Sequence, residues 1–306
     1  MEGRSEQQLA QQCLEDELFG REARLADWLR AQGSVLLGFS GGVDSAYLAC
    51  VAVETLGPTH VLAVIGRSAS YPAAQWQSAR DVAARFGVPV FEVDTDEVND
   101  PRYAANPTNR CFFCKTELWS RLVPIARSRG LSAVIDGTNA DDLEDYRPGA
   151  RAAVEHGVLS PLALLGFRKS DIRALSRVRR IPTWEQPSAP CLSSRIPYGT
   201  PVTPARLRVI EAAEAALRAL GVAGDLRVRY HGDLARVELT PLELERWLEP
   251  RGAAALRDAV RGAGFARVAL DLRGFRSGSL NVLGGLVADA EPAPLGAGWT
   301  AAEPAA

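Results

Sequence analysis

Residues 35–57, VLLGFSGGVDSAYLACVAVETLG, constrain the fold of this 306-residue chain more than any other segment. Val35 to Phe39 read as a short buried strand. Ser45 to Leu56 read as a helix that starts directly after the glycines. A strand that turns through Gly41 and Gly42 straight into a helix is half of a crossover unit, and such units build parallel sheets. The same turn is an anion site. Helix-start N–H groups point outward, and the helix dipole favours negative charge. Two glycines let the backbone approach phosphate oxygens with no Cβ in the way. Ser40 and Ser45 add hydroxyl donors, and Asp44 can help hold Mg²⁺ beside those phosphates. The closing Gly-Lys-Ser/Thr of a Walker A loop is missing, and the spacing is not G-x-G-x-x-G. A tight turn followed by a helix-start acid is the plain alternative. It accounts for the glycine pair but not for strand, SGGVDS and helix together.

The alternation continues downstream. Helices are expected over residues 5–31, 73–86, 114–129 and 169–179, and strands over 61–65, 88–93 and 133–137, with 159–162 leading into the last of these helices. Strands alternating with helices predict an α/β fold with a doubly wound parallel sheet, whose ligands sit at the carboxyl ends of the strands. Near Ile181 the texture changes. Residues 181–204 carry six prolines and no periodicity, as expected of a connector or an active-site loop. Beyond it a helix over 205–220, a strand pair at 226–230 and 235–239, helices at 241–247 and 253–262 and a strand at 266–272 predict a second, smaller α/β domain. The expected division is a nucleotide domain (1–185), a cysteine-bearing connector (186–204), a C-terminal substrate or oligomerisation domain (205–290) and a disordered Ala/Pro/Gly-rich tail (291–306).

Composition narrows the function classes. A net charge of −2 with no long Lys/Arg run argues against a large nucleic-acid surface. No run of about 18 apolar residues offers a membrane span, and the polar, acidic N-terminus does not read as a signal peptide. The cytoplasm is the expected location. The 5 cysteines therefore point to metal, cluster or catalytic roles before disulfides. Cys13 and Cys50 fall in helices and read as packing residues. Cys111 and Cys114 form a CxxC pair: buried small side chains, a redox pair or half a metal site. Cys191 lies in the Pro-rich connector with Arg195 four residues on, a cation of the kind that favours a thiolate. His60, His156 and His231 show no ligand spacing.

SGGVDS resembles the PP-loop of the ATP pyrophosphatases, which cleave ATP between the α- and β-phosphates and attach AMP to a substrate oxygen. A wider resemblance is carried by PCLSSRIPYGTPVT at 190–203, NRCFFCKTELW at 109–119, DGTNADDLEDYRPG at 136–149, LRVRYHGDLARVEL at 226–239 and LDLRGFRSGSLN at 270–281. Together these segments resemble the LarE-type ATP-dependent sacrificial sulfur transferases over nearly the whole chain.

The resemblance implies adenylylation of the two carboxylates of a pyridinium dicarboxylate mononucleotide and their conversion to thiocarboxylates, for a nickel-pincer cofactor. One branch sacrifices a single cysteine, which becomes dehydroalanine. Another holds a 4Fe–4S cluster on three cysteines. With Cys111, Cys114 and Cys191, this chain resembles the cluster branch. The implied ATP and Mg²⁺ site comprises Ser40, Gly41, Gly42, Val43, Asp44 and Ser45, with Ser68 near adenine and ribose, and Gly137, Asp141 and Asp142 in the GTNADD turn. N-capping and loop solvation are the plain alternative for those two acids. Arg195 is expected at the AMP phosphate or the substrate carboxylate. Arg227 and Arg229 alternate on one strand and so share a face that can bind a substrate phosphate, with an ordinary solvated strand face as the plain alternative. Glu238 is expected at the cysteine loop or the substrate. The partner is a small nucleotide-like molecule, and the resemblance implies a homo-oligomer. Competing readings are a tRNA thiolase, an ammonia-using ligase that leaves PCLSSR and CxxC unused, and an ATP-binding sensor.

Overall fold

The protein is described by a computed structural model covering residues 6–143, 148–187 and 190–276, with the side chains of 6–15 left aside. The side chain of Cys13, the tail from 291 and residues 277–281 lie outside the described residues. The first part runs α1 (Glu6–Gln32), β1 (Val35–Gly38), α2 (Val43–Leu56), β2 (Val61–Arg67), α3 (Ala73–Arg85), β3 (Val90–Asp94), α4 (Pro101–Ala104), α5 (Arg110–Ser128) and β4 (Ala133–Ile135). It continues through α6 (Pro148–Glu155), α7 (Pro161–Leu164) and α8 (Lys169–Val178). The second part comprises α9 (Pro204–Ala219), β5 (Leu226–His231), β6 (Leu234–Leu239), α10 (Pro241–Trp247), α11 (Pro250–Gly262) and β7 (Arg267–Leu270).

The expected parallel sheet is present, in the order β3-β2-β1-β4. Strands β1, β2 and β4 are Val-, Ile- and Leu-rich without alternation because helices cover both faces, while the edge strand β3 is partly exposed. One face packs on α1, α2 and α8 through Leu25, Leu29, Tyr47, Leu48 and Phe167. The other packs on α5 and α6 through Trp119, Leu122 and Ala152. The chain moves outward from β1 to β3 and then returns to pair β4 with the far side of β1. That reversal opens a crevice at the carboxyl ends of β1 and β4, where open α/β sheets bind ligands.

Two close approaches fix this region. A Cβ on Gly38 would stand 2.6 Å from the Trp119 ring, so β1 and α5 touch only because the strand ends in glycine. A Cβ on Gly137 would stand 2.9 Å from the amide nitrogen of Ser45, so the loop after β4 lies directly on the first turn of α2.

The smaller sheet, β5-β6-β7, is mixed: β5 and β6 form a hairpin, and β6 pairs with β7 in parallel. Its core takes in Tyr103, Leu192, Ile196 and Val202, with Phe113 and Cys114 against it. The cysteine-bearing loop is thus packed between the two sheets. The sequence reading started α5 at Cys114; the helix begins at Arg110 instead. Asn109 at the N-cap, a residue type that favours helix starts, is the signal for the earlier start. Cys111 and Cys114 therefore stand at i and i+3 on one helical face.

Candidate active site

Ser40 to Ser45 form a braced loop. The Ser40 and Ser45 hydroxyls lie 3.1 Å apart, the Gly42 N–H reaches Ser40 Oγ at 3.4 Å, and Ser45 Oγ donates to the Gly42 carbonyl at 3.2 Å. Tyr71 Oη and Gln75 Nε2 both donate to the Ser40 carbonyl at 2.9 Å. Gly41 adopts φ +67°, and a Cβ there would meet Ala79 Cβ at 2.4 Å. Only glycine fits that combination. Gly42 caps α2 without a side-chain hydrogen bond, which leaves the first-turn donors to a ligand.

Asp44 accepts from Lys169 Nζ at 2.5 Å through Oδ2, while its buried Oδ1 has no partner. A carboxylate oxygen with an unused lone pair, at the mouth of a phosphate loop, fits a Mg²⁺ ligand. No sequence pattern marks Lys169, which lies 125 residues from Asp44 and carries no local motif. It opens α8, and its backbone N–H is held by Asp141 Oδ2 at 2.7 Å. Asp141 is thus engaged in capping α8, and Asp142 pairs with Asn139 across the turn at 3.1–3.2 Å.

The half-exposed pair of Lys169 and Asp44 contributes at most about 1 kcal/mol to stability, since solvent screens it. Its value lies in charge placed at the phosphate site. Lys169→Met is expected to lower pyrophosphate release about tenfold or more while moving Tm by only a few degrees. Equal losses of rate and thermal stability would make it a structural residue.

Ser68 Oγ is 2.8 Å from Ser70 Oγ, which in turn reaches Glu97 Oε1 at 3.0 Å. The Ser70 carbonyl accepts the Leu192 N–H at 2.8 Å. The loop after β2 is therefore tied to the cysteine loop. Glu97 is buried, and its Oε2 has no partner.

Cys191 lies close enough to Cys111, Cys114 and Tyr103 for its charge to act on each of them. Burial, then the charge of Cys191, lifts the Cys111 thiol, against Arg110 and Lys115. Burial, then Glu97 and Cys191, lifts Cys114 well above its ordinary value. Tyr103, whose Oη lies 2.6 Å from Ser193 Oγ, is lifted first by burial and then by Cys191 and Cys114. Interactions of this kind act only over short range.

Cys111 retains solvent contact while protein crowds its sulfur. No group of three or more His, Cys, Asp or Glu among the described residues is arranged around a single ion. A single ion draws its donors into one tight shell. By chemistry alone, three thiolates are the soft donor type that an iron–sulfur group takes. Because both thiols of the CxxC pair are raised, they are protonated at neutral pH in the metal-free protein. Alkylation of Cys114, followed by mass spectrometry, is expected to stay slow through pH 8 and to rise only above pH 9. Rapid labelling at pH 7 would contradict that environment.

Arg195 is buried and fully engaged. It takes Glu214 at 2.9 and 3.0 Å and the carbonyls of Pro190 and Cys191 at 2.6 and 3.1 Å. It braces the cysteine loop. Glu214 also accepts the Val228 N–H at 3.0 Å and was missed in the sequence, although an acid in line with Ile210 and Leu217 on the buried stripe of α9 was its signal.

Arg227 and Arg229 share a face, as the strand period requires. Burial, then Arg195, presses Arg227 down to about 10, so it stays charged at neutral pH. Arg229 grips Glu238 Oε2 at 2.8 and 3.0 Å and donates to the Ser194 carbonyl at 2.8 Å. Glu238 reaches the cysteine loop through that arginine. His231 lies at the end of β5, and burial lowers its pKa.

A glycine-braced phosphate loop at the switch point of a parallel sheet defines an ATP-using enzyme of the PP-loop class. The NAD synthase family model matches residues 24–117. The chain is 43% identical over 246 residues to the uncharacterized protein slr1717 of Synechocystis, covering 80% of this chain and 91% of that one. It is 34% identical over 261 residues to the pyridinium-3,5-bisthiocarboxylic acid mononucleotide synthase of Lactiplantibacillus plantarum, covering 85% and 94%. To the uncharacterized protein MJ0830 of Methanocaldococcus jannaschii it is 26% identical over 243 residues, covering 79% and 91%. The chain belongs to the family of that synthase, the LarE-type ATP-using sulfur transferases. No helix among the described residues is long and apolar enough to cross a membrane.

Proposed function

We propose that the protein activates the carboxylates of a pyridinium-3,5-dicarboxylate mononucleotide with ATP and converts them to thiocarboxylates, with sulfur supplied at Cys111, Cys114 and Cys191. The supporting observation is that Ser70 and Tyr71, neighbours in the loop after β2, hold the Leu192 N–H of the cysteine loop and the Ser40 carbonyl of the PP-loop respectively, in a chain similar over most of its length to the named synthase.

A carboxylate resists substitution because its leaving group would be an oxide. The substrate oxygen attacks the α-phosphorus, pyrophosphate departs, and AMP becomes the leaving group. Ser40–Ser45 cradle the triphosphate, Lys169 offers positive charge near it, and Asp44 is the group suited to hold Mg²⁺, which neutralises phosphate charge when bound. Ser68 and Gly137 flank the nucleotide side. Of the two arginines expected at the substrate phosphate, Arg227 is the one suited to it, because Arg229 is buried and committed to Glu238 and the Ser194 carbonyl. Sulfur then attacks the acyl carbon and AMP leaves. Cys111, Cys114 and Cys191 would hold a 4Fe–4S cluster, which when bound would supply the transferable sulfide. The division into nucleotide domain, connector and C-terminal domain belongs to the same reading, and the separate cores of the two sheets support it.

The test is iron and acid-labile sulfide per chain, with the visible spectrum, on protein purified and reconstituted without oxygen. A near-stoichiometric cubane, lost in Cys111→Ala, Cys114→Ala and Cys191→Ala, is the expected result. An iron-free protein that still forms thiocarboxylate once per chain, with dehydroalanine at position 191, would overturn the cluster and leave Cys191 as sacrificial donor. Thiolation of tRNA with no action on the mononucleotide would overturn the substrate; the slightly acidic chain disfavours that reading.

A further inference from the structure

Asn106 occupies a position that neither the phosphate loop nor the arginine face explains. It is completely buried, in the left-handed region at φ +56°. Its Nδ2 lies 2.8 Å from the Pro197 carbonyl, 2.9 Å from that of Thr200 and 3.3 Å from that of Ile196. Its Oδ1 accepts from Arg110 Nη1 at 2.5 Å. The backbone adds two further ties between the same segments: Gly199 N–H to the Asn106 carbonyl at 2.9 Å, and Val202 N–H to the Ala104 carbonyl at 2.8 Å. One amide therefore joins the segment that follows Cys191 to the segment that leads into the CxxC helix.

Arg110 is the other half of the arrangement. It is buried, it stacks 5.3 Å from the Tyr198 ring centroid, and its Nε has no partner. Among the described residues it has no carboxylate partner, and its charge falls on the adjacent Cys111 thiol. A buried guanidinium in that state needs a fixed polar acceptor, and Asn106 supplies one.

We propose that Asn106 is the positioning residue that sets the spacing between Cys191 and the Cys111/Cys114 pair, by clamping the cysteine loop to the start of α5. The proposal rests on the reading that these three thiols work together. It does not depend on what they carry. An asparagine suits the position for two reasons. Its short polar side chain tolerates the left-handed backbone, where the Cβ of most other non-glycine residues crowds the following carbonyl oxygen. Its amide is donor and acceptor at once, so it serves loop carbonyls and Arg110 together. Glycine would keep the backbone and lose both roles. Aspartate would keep the acceptor for Arg110 and lose the donors to the carbonyls.

The experiment compares wild type, Asn106→Gly and Asn106→Asp in the full chain, without metal. The first readout is the rate at which a short bismaleimide bridges Cys191 to Cys111, the exposed thiol of the CxxC pair, mapped by peptide mass spectrometry. The second is substrate-dependent pyrophosphate release, which needs the phosphate loop but not the thiols. In both variants bridging is expected to slow at least tenfold while pyrophosphate release stays within about twofold. Unchanged bridging would overturn the proposal. So would a parallel fall in both readouts, which marks a residue of general folding importance. Rescue by Asn106→Asp would assign the spacing to the Arg110 contact and overturn the carbonyl clamp. If Asn106→Gly does not fold, Asn106→Ser, which keeps one donor, takes its place with the same criteria. A wild type that binds no iron but bridges readily removes the cluster and leaves the positioning role standing.

Discussion

Asp44→Asn is expected to lower pyrophosphate release by roughly 10²-fold or more, with little change in the fold. The substitution keeps the size of the side chain and its place in the first turn of α2. It removes the negative charge that Lys169 approaches at 2.5 Å and that makes the unpartnered Oδ1 a good ligand for a divalent ion. Adenylylation develops charge on the departing pyrophosphate, and fixed electrostatics there is the main catalytic contribution available to such a site. The measurement is pyrophosphate release against Mg²⁺ concentration. A shift to higher Mg²⁺ demand together with a lower maximum rate is the expected pattern. Normal release from this variant would remove the loop from the chemistry. An unchanged Tm would separate that effect from folding, since the half-exposed pair contributes little to stability.

Cys191→Ala is expected to abolish thiocarboxylate formation, at least about 10³-fold, while ATP binding stays close to normal. Its backbone carbonyl, not its sulfur, receives Arg195, so the bracing of the loop to Glu214 survives the substitution. The acyl adenylate should then form and decay by hydrolysis, and AMP should still appear. Mass spectrometry of the substrate product, run beside a pyrophosphate assay, reads both halves. Retained sulfur transfer would take Cys191 out of the mechanism, and loss of both halves would show that the loop also shapes the nucleotide site. Here Ser70 is the structural reason to look, because its carbonyl holds the Leu192 N–H and its hydroxyl faces Glu97.

Much of this was visible in the chain itself, for local reasons. Apolar strands, glycines and helix starts are read over a few residues, so the parallel sheet, the phosphate loop and the strand pair bearing Arg227 and Arg229 follow from short patterns. The Cys111 and Cys191 segments stand out by composition in the same way. Which groups meet is a different kind of fact. Lys169 reaches Asp44 across 125 residues, and Asn106 reaches Pro197 across 91, with no spacing rule to announce either. Arg195 was expected at a phosphate or a carboxylate, yet Glu214 on α9 and the carbonyls of its own loop take its donors. Asp141 was expected near the nucleotide and caps α8. The sequence by itself determined the elements and the kinds of chemistry they carry, because hydrophobic periodicity and backbone freedom act locally. Only the tertiary structure settles which charges are engaged, which oxygen is left without a partner, and that Cys191 comes within electrostatic reach of the CxxC pair, because burial and pairing arise only when remote segments pack.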